Sequence, residues 1–222
     1  MGKSRQIDTK NIENETIKKI IPPTPVVDGL FSGGTAGRMF WRSEGKLLLF
    51  EQQQLRRVLG EIQAPKVKSA HWTSDIDKVA LLCRFGVIIV DKNIEQLCTI
   101  TETVRVKSGA WDSSYNIFVY TTLNHIKYCL ANGDAGIIRT LDQPIYITKV
   151  EKKQLFCLDR EGKACILAID TTEAIFKLAL ENKRYGQVME MVRHSRLCGQ
   201  AIIAYLQQKD FPWSCFTLRA WI

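Results

Sequence analysis

The chain has 222 residues (25.3 kDa), is 45% hydrophobic and 24% charged, and has a mean hydropathy of −0.10, which excludes collagen-like, coiled-coil and wholly disordered chains. Lys plus Arg number 31 against 23 for Asp plus Glu, a formal charge of +8. The densest cationic clusters are only pairs (Lys18-Lys19, Arg56-Arg57, Lys152-Lys153), whereas a nucleic-acid groove needs a contiguous stripe with stacking aromatics, so solvated surface and no nucleic-acid partner are expected.

From the N-terminus, Met1-Gly2-Lys3-Ser4-Arg5-Gln6 has no apolar signal core, and no run anywhere approaches 18 apolar residues, so no transmembrane segment is expected. Short apolar runs then begin. They centre on Phe40, Val79, Phe118 and Phe156, at steps of 39, 39 and 38 residues. A second set lies at Leu48, Ile88, Lys127 and Ile166, and a third at Val58, Cys98 and Ile137, with the same period. Val67-Lys-Ser-Ala-His-Trp72 is echoed by Val106-Lys-Ser-Gly-Ala-Trp111, so Trp72 and Trp111 also stand 39 residues apart. The runs are rich in Val, Ile, Phe and Tyr and are punctuated by Ser43-Glu-Gly45, Thr73-Ser-Asp75, Asn132-Gly-Asp134 and Arg160-Glu-Gly162, the pattern of antiparallel strands joined by hairpins. A period near 40 with several strands per unit predicts a WD40-like β-propeller. Trp72, Trp111, Phe40, Val79, Phe118 and Phe156 are its expected blade-packing residues.

Residues 26–170 supply three to four such blades, whereas closed propellers run up to about eight. Either other residues complete the ring or the chain is a piece of a longer protein, and the second is expected. The pattern changes at Asp170-Thr-Thr-Glu173, which reads as a helix-capping box. Ala174, Ile175, Leu178 and Ala179 follow at helical spacing. A second helical stretch aligns Tyr185, Val188 and Val192, and a third Ile202, Tyr205 and Leu206, suiting the start of an α-solenoid. The predicted organisation is mostly β with C-terminal α: a partial propeller over 1–170, solenoid helices over 171–212, and an atypical tail over 213–222.

Chemistry-bearing patterns are sparse. Gly33-Gly-Thr-Ala-Gly37 lacks the Lys-Ser/Thr of a phosphate loop and leads into a strand, so a blade turn is expected. His194 and Cys198 stand four apart without a third ligand, too few for zinc. His71 and His125 have no nucleophile at a telling spacing. Asp75 and Asp77 fit turn chemistry. The seven cysteines, at 83, 98, 129, 157, 165, 198 and 215, form no CxxC pair and mostly occupy apolar runs, which suits a reducing compartment. No catalytic, cofactor-binding or metal-binding residues are expected, and no enzyme. A basic propeller module for a peptide, RNA or anionic lipid headgroup is the alternative that composition leaves open.

The segments Val104-Arg-Val-Lys-Ser-Gly-Ala-Trp111, Tyr120-Thr-Thr-Leu-Asn-His-Ile-Lys-Tyr128, Gly136-Ile-Ile-Arg-Thr-Leu-Asp142, Phe156-Cys-Leu-Asp-Arg-Glu161 and Gly199-Gln-Ala-Ile-Ile-Ala-Tyr-Leu206 closely resemble the coatomer alpha-subunit family, over about residues 10–212. The beta-prime family has an RVKSG-like segment too, but the later runs resemble alpha. The resemblance implies the end of the second of two propellers and the first helices of the solenoid. It also implies a structural role in a coat that returns vesicles from Golgi to endoplasmic reticulum. Partners would be other coatomer subunits, beta-prime foremost, with peripheral attachment to the Golgi membrane through the coat, in the cytoplasm. The family's cargo-binding first propeller has no counterpart here, so no cargo-binding residue is carried over. After Phe211-Pro212 the chain departs from the family pattern, since residues 213–222 hold one charge and no helical stripe.

Overall fold

The computed structural model describes residues 7–10, 13, 15–20, 28–35, 37–51, 57–194 and 205–209. A hairpin of β1 (Ile7–Lys10) and β2 (Ile17–Ile20) precedes the repeats. The first blade is the antiparallel meander β3 (Gly29–Ser32), β4 (Arg38–Ser43), β5 (Lys46–Glu51) and β6 (Arg57–Gln63). The second is β7 (Ser69–Trp72), β8 (Lys78–Cys83), β9 (Gly86–Asp91) and β10 (Gln96–Thr101). The third is β11 (Ser108–Asp112), β12 (Ile117–Thr121), β13 (His125–Cys129) and β14 (Ala135–Thr140). Three strands of a fourth follow, β15 (Tyr146–Glu151), β16 (Gln154–Leu158) and β17 (Ala164–Ala168). Helices α1 (Thr172–Glu181) and α2 (Tyr185–His194) come next, and residues 205–208 are helical again. The fold is therefore mostly β with C-terminal α, a partial propeller running into helices.

Burial separates the strands by position in the blade. In the second blade β8 and β9 are buried along nearly their whole length, because a neighbouring blade covers each face. They accordingly read as continuous apolar runs, KVALLC and GVIIVD, not as alternation. The outer strands β10 and β14 alternate between exposed and half-buried. Three apolar wedges fill the spaces between blades. Phe40, Leu47 and Leu49 meet Val79, Leu81 and Val90. Ala80, Leu82 and Ile89 meet Trp111, Phe118 and Tyr120. Val119, Ile126 and Tyr128 meet Ile147, Leu155 and Cys157. Burying a side chain of this size stabilises by roughly 1.5–3 kcal/mol, so the wedges are the main cohesive force.

Inner strands of adjacent blades also touch directly. Strands β11 and β15 run parallel and bridge at Asp112 and Val150, which merges the third and fourth blades into one seven-stranded sheet among the described residues. Ser108 reinforces this contact: its Oγ accepts the Ile147 amide at 2.7 Å and shares a 2.8 Å hydrogen bond with the Thr121 hydroxyl, which itself donates to the Ile145 carbonyl.

Candidate functional site

The two repeated tryptophans lie on inner strands and clasp the blade before them. The Trp72 indole N–H donates to the Ser32 carbonyl at 2.9 Å, and that of Trp111 to the His71 carbonyl at 2.7 Å. The Trp72 ring stacks on Phe40 with centroids 5.7 Å apart, and Trp111 meets Phe118 edge-on at 5.1 Å. The glycine-rich turn at Gly33–Gly37 serves this packing. A Cβ on Gly34, whose φ is +88°, would lie 2.9 Å from the Trp72 ring.

The other repeat residues divide by direction. Val79 and Phe118, both fully buried, face the preceding blade. Phe40, fully buried, faces the following blade, in the same wedge as Val79. Phe156 is half-buried and lies on the side of β16 opposite Leu155 and Cys157, which fill the wedge toward the third blade. Period-39 spacing finds equivalent strands, but a slip of one residue turns a strand side chain to the opposite face.

The two remaining residues singled out at the start of the helices sit at a polar joint. Thr171 occupies the N-cap position, and its buried hydroxyl makes no hydrogen bond. Asp170 supports the first turn instead: its Oδ1 accepts the Thr172 amide at 2.9 Å, and hydrogen bonding from the Thr172 side chain and amide lowers the Asp170 carboxyl's pKa. Glu173 does not close a capping box. Its Oε1 accepts the Tyr128 hydroxyl at 2.9 Å and pairs with Lys177 Nζ at 2.7 Å. Lys177 lies 5.5 Å from the Tyr128 ring centroid and 5.1 Å from that of Tyr205. The Tyr205 hydroxyl donates to Asp134 Oδ2 at 2.6 Å, and Lys209 approaches the same oxygen at 3.4 Å. Asn132 completes the ring of contacts, donating to Asp134 at 2.8 Å and to Glu181 at 3.0 Å.

This network ties strand β13 and the β13–β14 turn to α1 and to residues 205–209. Burial and the adjacent carboxylates raise the pKa values of Tyr128 and Tyr205, so both remain protonated donors. The Tyr128 ring lies flat across Gly136, its register partner, where a Cβ would sit 2.6 Å from the ring. Beneath the polar network Ala174 and Ile175 extend the wedge between the third and fourth blades, while Phe176, Leu180, Val188 and Leu206 form a separate helical core. The sequence marks Asp134 only as part of a hairpin turn and gives Tyr128 and Lys177 no role at this joint. Their alliance spans up to 71 residues of chain, and no local pattern encodes it.

A second polar bridge joins the second and third blades. Buried Glu102 accepts the Tyr120 hydroxyl at 2.6 Å and pairs with Lys127 Nζ at 2.8 Å.

Other candidates find structural roles. His71 shares a 2.9 Å hydrogen bond with Ser69, and burial lowers its pKa. Asp75 and Asp77 shape the β7–β8 turn, where the Thr73 hydroxyl donates to Asp75 and accepts the Asp77 amide. His125 begins β13. His194 ends α2, whereas Cys198, Ile202 and residues 213–222 lie outside the described residues. Among the described residues no three His, Cys, Asp or Glu side chains converge as metal ligands, and no helix is long and apolar enough to cross a membrane.

Residues 1–159 match the family model for the COPA/B second beta-propeller. Coatomer subunit alpha-1 of Arabidopsis thaliana is 56% identical over 207 residues, 93% of this chain, and coatomer subunit alpha of Dictyostelium discoideum is 44% identical over 213 residues, 96% of it. The chain spans 17% of the length of each. Among solved structures, a chain of the mitotic checkpoint complex superposes with a TM-score of 0.59 at 16% identity, over 76% of this chain and 56% of that one, a likeness of fold alone.

Proposed function

This chain belongs to the COPA/B second beta-propeller family, and on that premise we propose that it acts as a non-catalytic scaffold segment of the coatomer coat in Golgi-to-endoplasmic-reticulum and intra-Golgi vesicle transport. Residues 1–170 form the propeller part and 171–212 begin the solenoid arm. The partners are other coatomer subunits, beta-prime foremost, and attachment to the Golgi membrane is peripheral, from the cytoplasm, through the coat. The work is geometric. Blades cemented by apolar wedges make a platform, and the Tyr128–Glu173–Lys177–Tyr205–Asp134 network fixes the direction in which the helices leave it.

The observation that carries this reading is that joint, in a chain whose likeness to coatomer alpha subunits runs past the propeller into the helices. Each neutral hydrogen bond contributes about 1 kcal/mol and each charge-assisted one about 1.5–3. Several acting together hold one helix pose against alternatives of similar apolar burial. The test replaces the matching 207-residue span of the Arabidopsis subunit with this chain. The chimera is expected to co-purify with the remaining coatomer subunits. A stable chimera left outside the complex would overturn the reading.

A further inference from the structure

Beyond the scaffold role, the face of the second and third blades opposite the β9–β10 and β13–β14 turns carries an unusual surface. The connection 102–107 arches over the β8–β9 turn and is pinned at both ends: the Glu102 amide donates to the Phe85 carbonyl at 2.9 Å, and the Val106 amide to the Arg84 carbonyl at 3.0 Å. Between the pins Thr103, Val104 and Arg105 are exposed. Phe85 and Val104 leave 48% and 41% of their surface in solvent, and Leu123, in the equivalent turn of the third blade, leaves 47%. Cations cluster at the second-blade end of this surface. The Arg84 guanidinium sits 5.1 Å from the Phe85 ring centroid, and Lys68 reaches the Val106 carbonyl at 3.0 Å. Arg84, Arg105 and Lys107 are close enough to Lys68 to depress its pKa, after burial itself. Among the described residues none of these four cations has a carboxylate within ion-pair distance. The carboxylate in the same connection, Glu102, is committed to Tyr120 and Lys127.

We propose that Arg84, Phe85, Val104, Arg105, Lys107 and Leu123, with Lys68, form a docking face for an anionic lipid bilayer. Apolar tips projecting among uncompensated cations suit an interface where acyl chains accept the former and headgroup phosphates the latter. Each cation near such a surface contributes a little over a fivefold gain in partitioning, on the order of 1 kcal/mol. A single-phosphate ligand would instead call for convergent donors in a cleft, whereas here the tips stand outward. The helical joint, with α1 and residues 205–209, lies at the opposite turns.

The full chain is tested by co-sedimentation with vesicles of phosphatidylcholine alone and of phosphatidylcholine enriched in phosphatidylserine. Binding is expected to the anionic vesicles and to fall steeply with salt. R84A/R105A is expected to weaken it roughly thirtyfold, and F85S/L123S roughly tenfold. K92A, which removes a cation from the opposite face, is expected to leave it unchanged, and circular dichroism shows whether each variant keeps its strands. No preference for anionic vesicles would overturn the proposal, as would equal losses in K92A and R84A/R105A. Binding to an acidic, leucine-containing peptide without binding to vesicles would overturn it in favour of a protein partner.

Discussion

The seam between the first two blades and the joint between the third blade and the helices are held together differently. At the seam Phe40, Leu47 and Leu49 face Val79, Leu81 and Val90, with directional contacts from the Trp72 N–H to the Ser32 carbonyl and from the Arg42 guanidinium to the Val67 carbonyl at its margin. Such a surface adheres strongly but discriminates weakly, because apolar burial has no preferred angle. At the joint the apolar layer is small, and five side chains with fixed donor and acceptor geometry stand over it. Repeated blades need only stack on neighbours of the same shape. A helix leaving the last blade has no such template, and polar contacts supply its angle.

The largest effect should come from cutting into a wedge. Phe118 is fully buried between Trp111, His71 and Tyr120. Phe118→Ala should cost about 3–5 kcal/mol. The measurement is the urea midpoint, with loss across the blades rather than at the helices. A variant that melted the helices first would erase the distinction between seam and joint.

Next in size is the polar bridge between the second and third blades, which tests whether seams are purely apolar. Glu102→Gln leaves Lys127 without its counter-charge, at a cost of about 2–3 kcal/mol, whereas Tyr120→Phe should cost about 1. Equal effects by chemical denaturation would mean that the ion pair contributes nothing here.

These contrasts also explain what was legible in the sequence. The 39-residue echo of Trp72 in Trp111 located the blades, since each strand must repeat its apolar run to fill a repeated wedge. It could not orient them: Phe40 and Val79 hold equivalent places in the repeat yet face each other across one wedge. The capping signal at Asp170 marked the first helix, but Glu173 was drawn away by Tyr128, a residue 45 positions earlier. Turns and strand order are local or periodic and can be read. Alliances between a strand and a distant helix are neither.

The joint is sharpened by pH. Tyr128 and Tyr205 have pKa values raised above the ordinary 10.0. Their contribution is therefore complete below pH 10 and is lost as the pH rises through the folded values, because the unfolded chain gives up its protons first. Helical amides of α1 and of residues 205–209 should lose hydrogen-exchange protection above about pH 10. In Y128F/Y205F that alkaline step should vanish, and protection at neutral pH should fall by about 1–2 kcal/mol.

The smallest effect separates two accounts of the same four residues. A reciprocal capping box would make Asp170 and Glu173 act together on the first turn of α1. In the structure Asp170 alone accepts a first-turn amide, and Glu173 serves Tyr128 and Lys177. Asp170→Ala should therefore cost about 0.5–1 kcal/mol, read as faster exchange at the Thr172 amide. Because the Asp170 carboxyl is depressed, this support is present above its ordinary value and fades as the pH falls through the folded one. Glu173→Ala should leave that amide protected and instead loosen residues 205–209, because Lys177 loses the carboxylate that steers it between the two tyrosine rings. If both substitutions exposed the Thr172 amide equally, Glu173 would belong to the cap, and the joint would depend on Asp134 and Tyr205 to hold the arm.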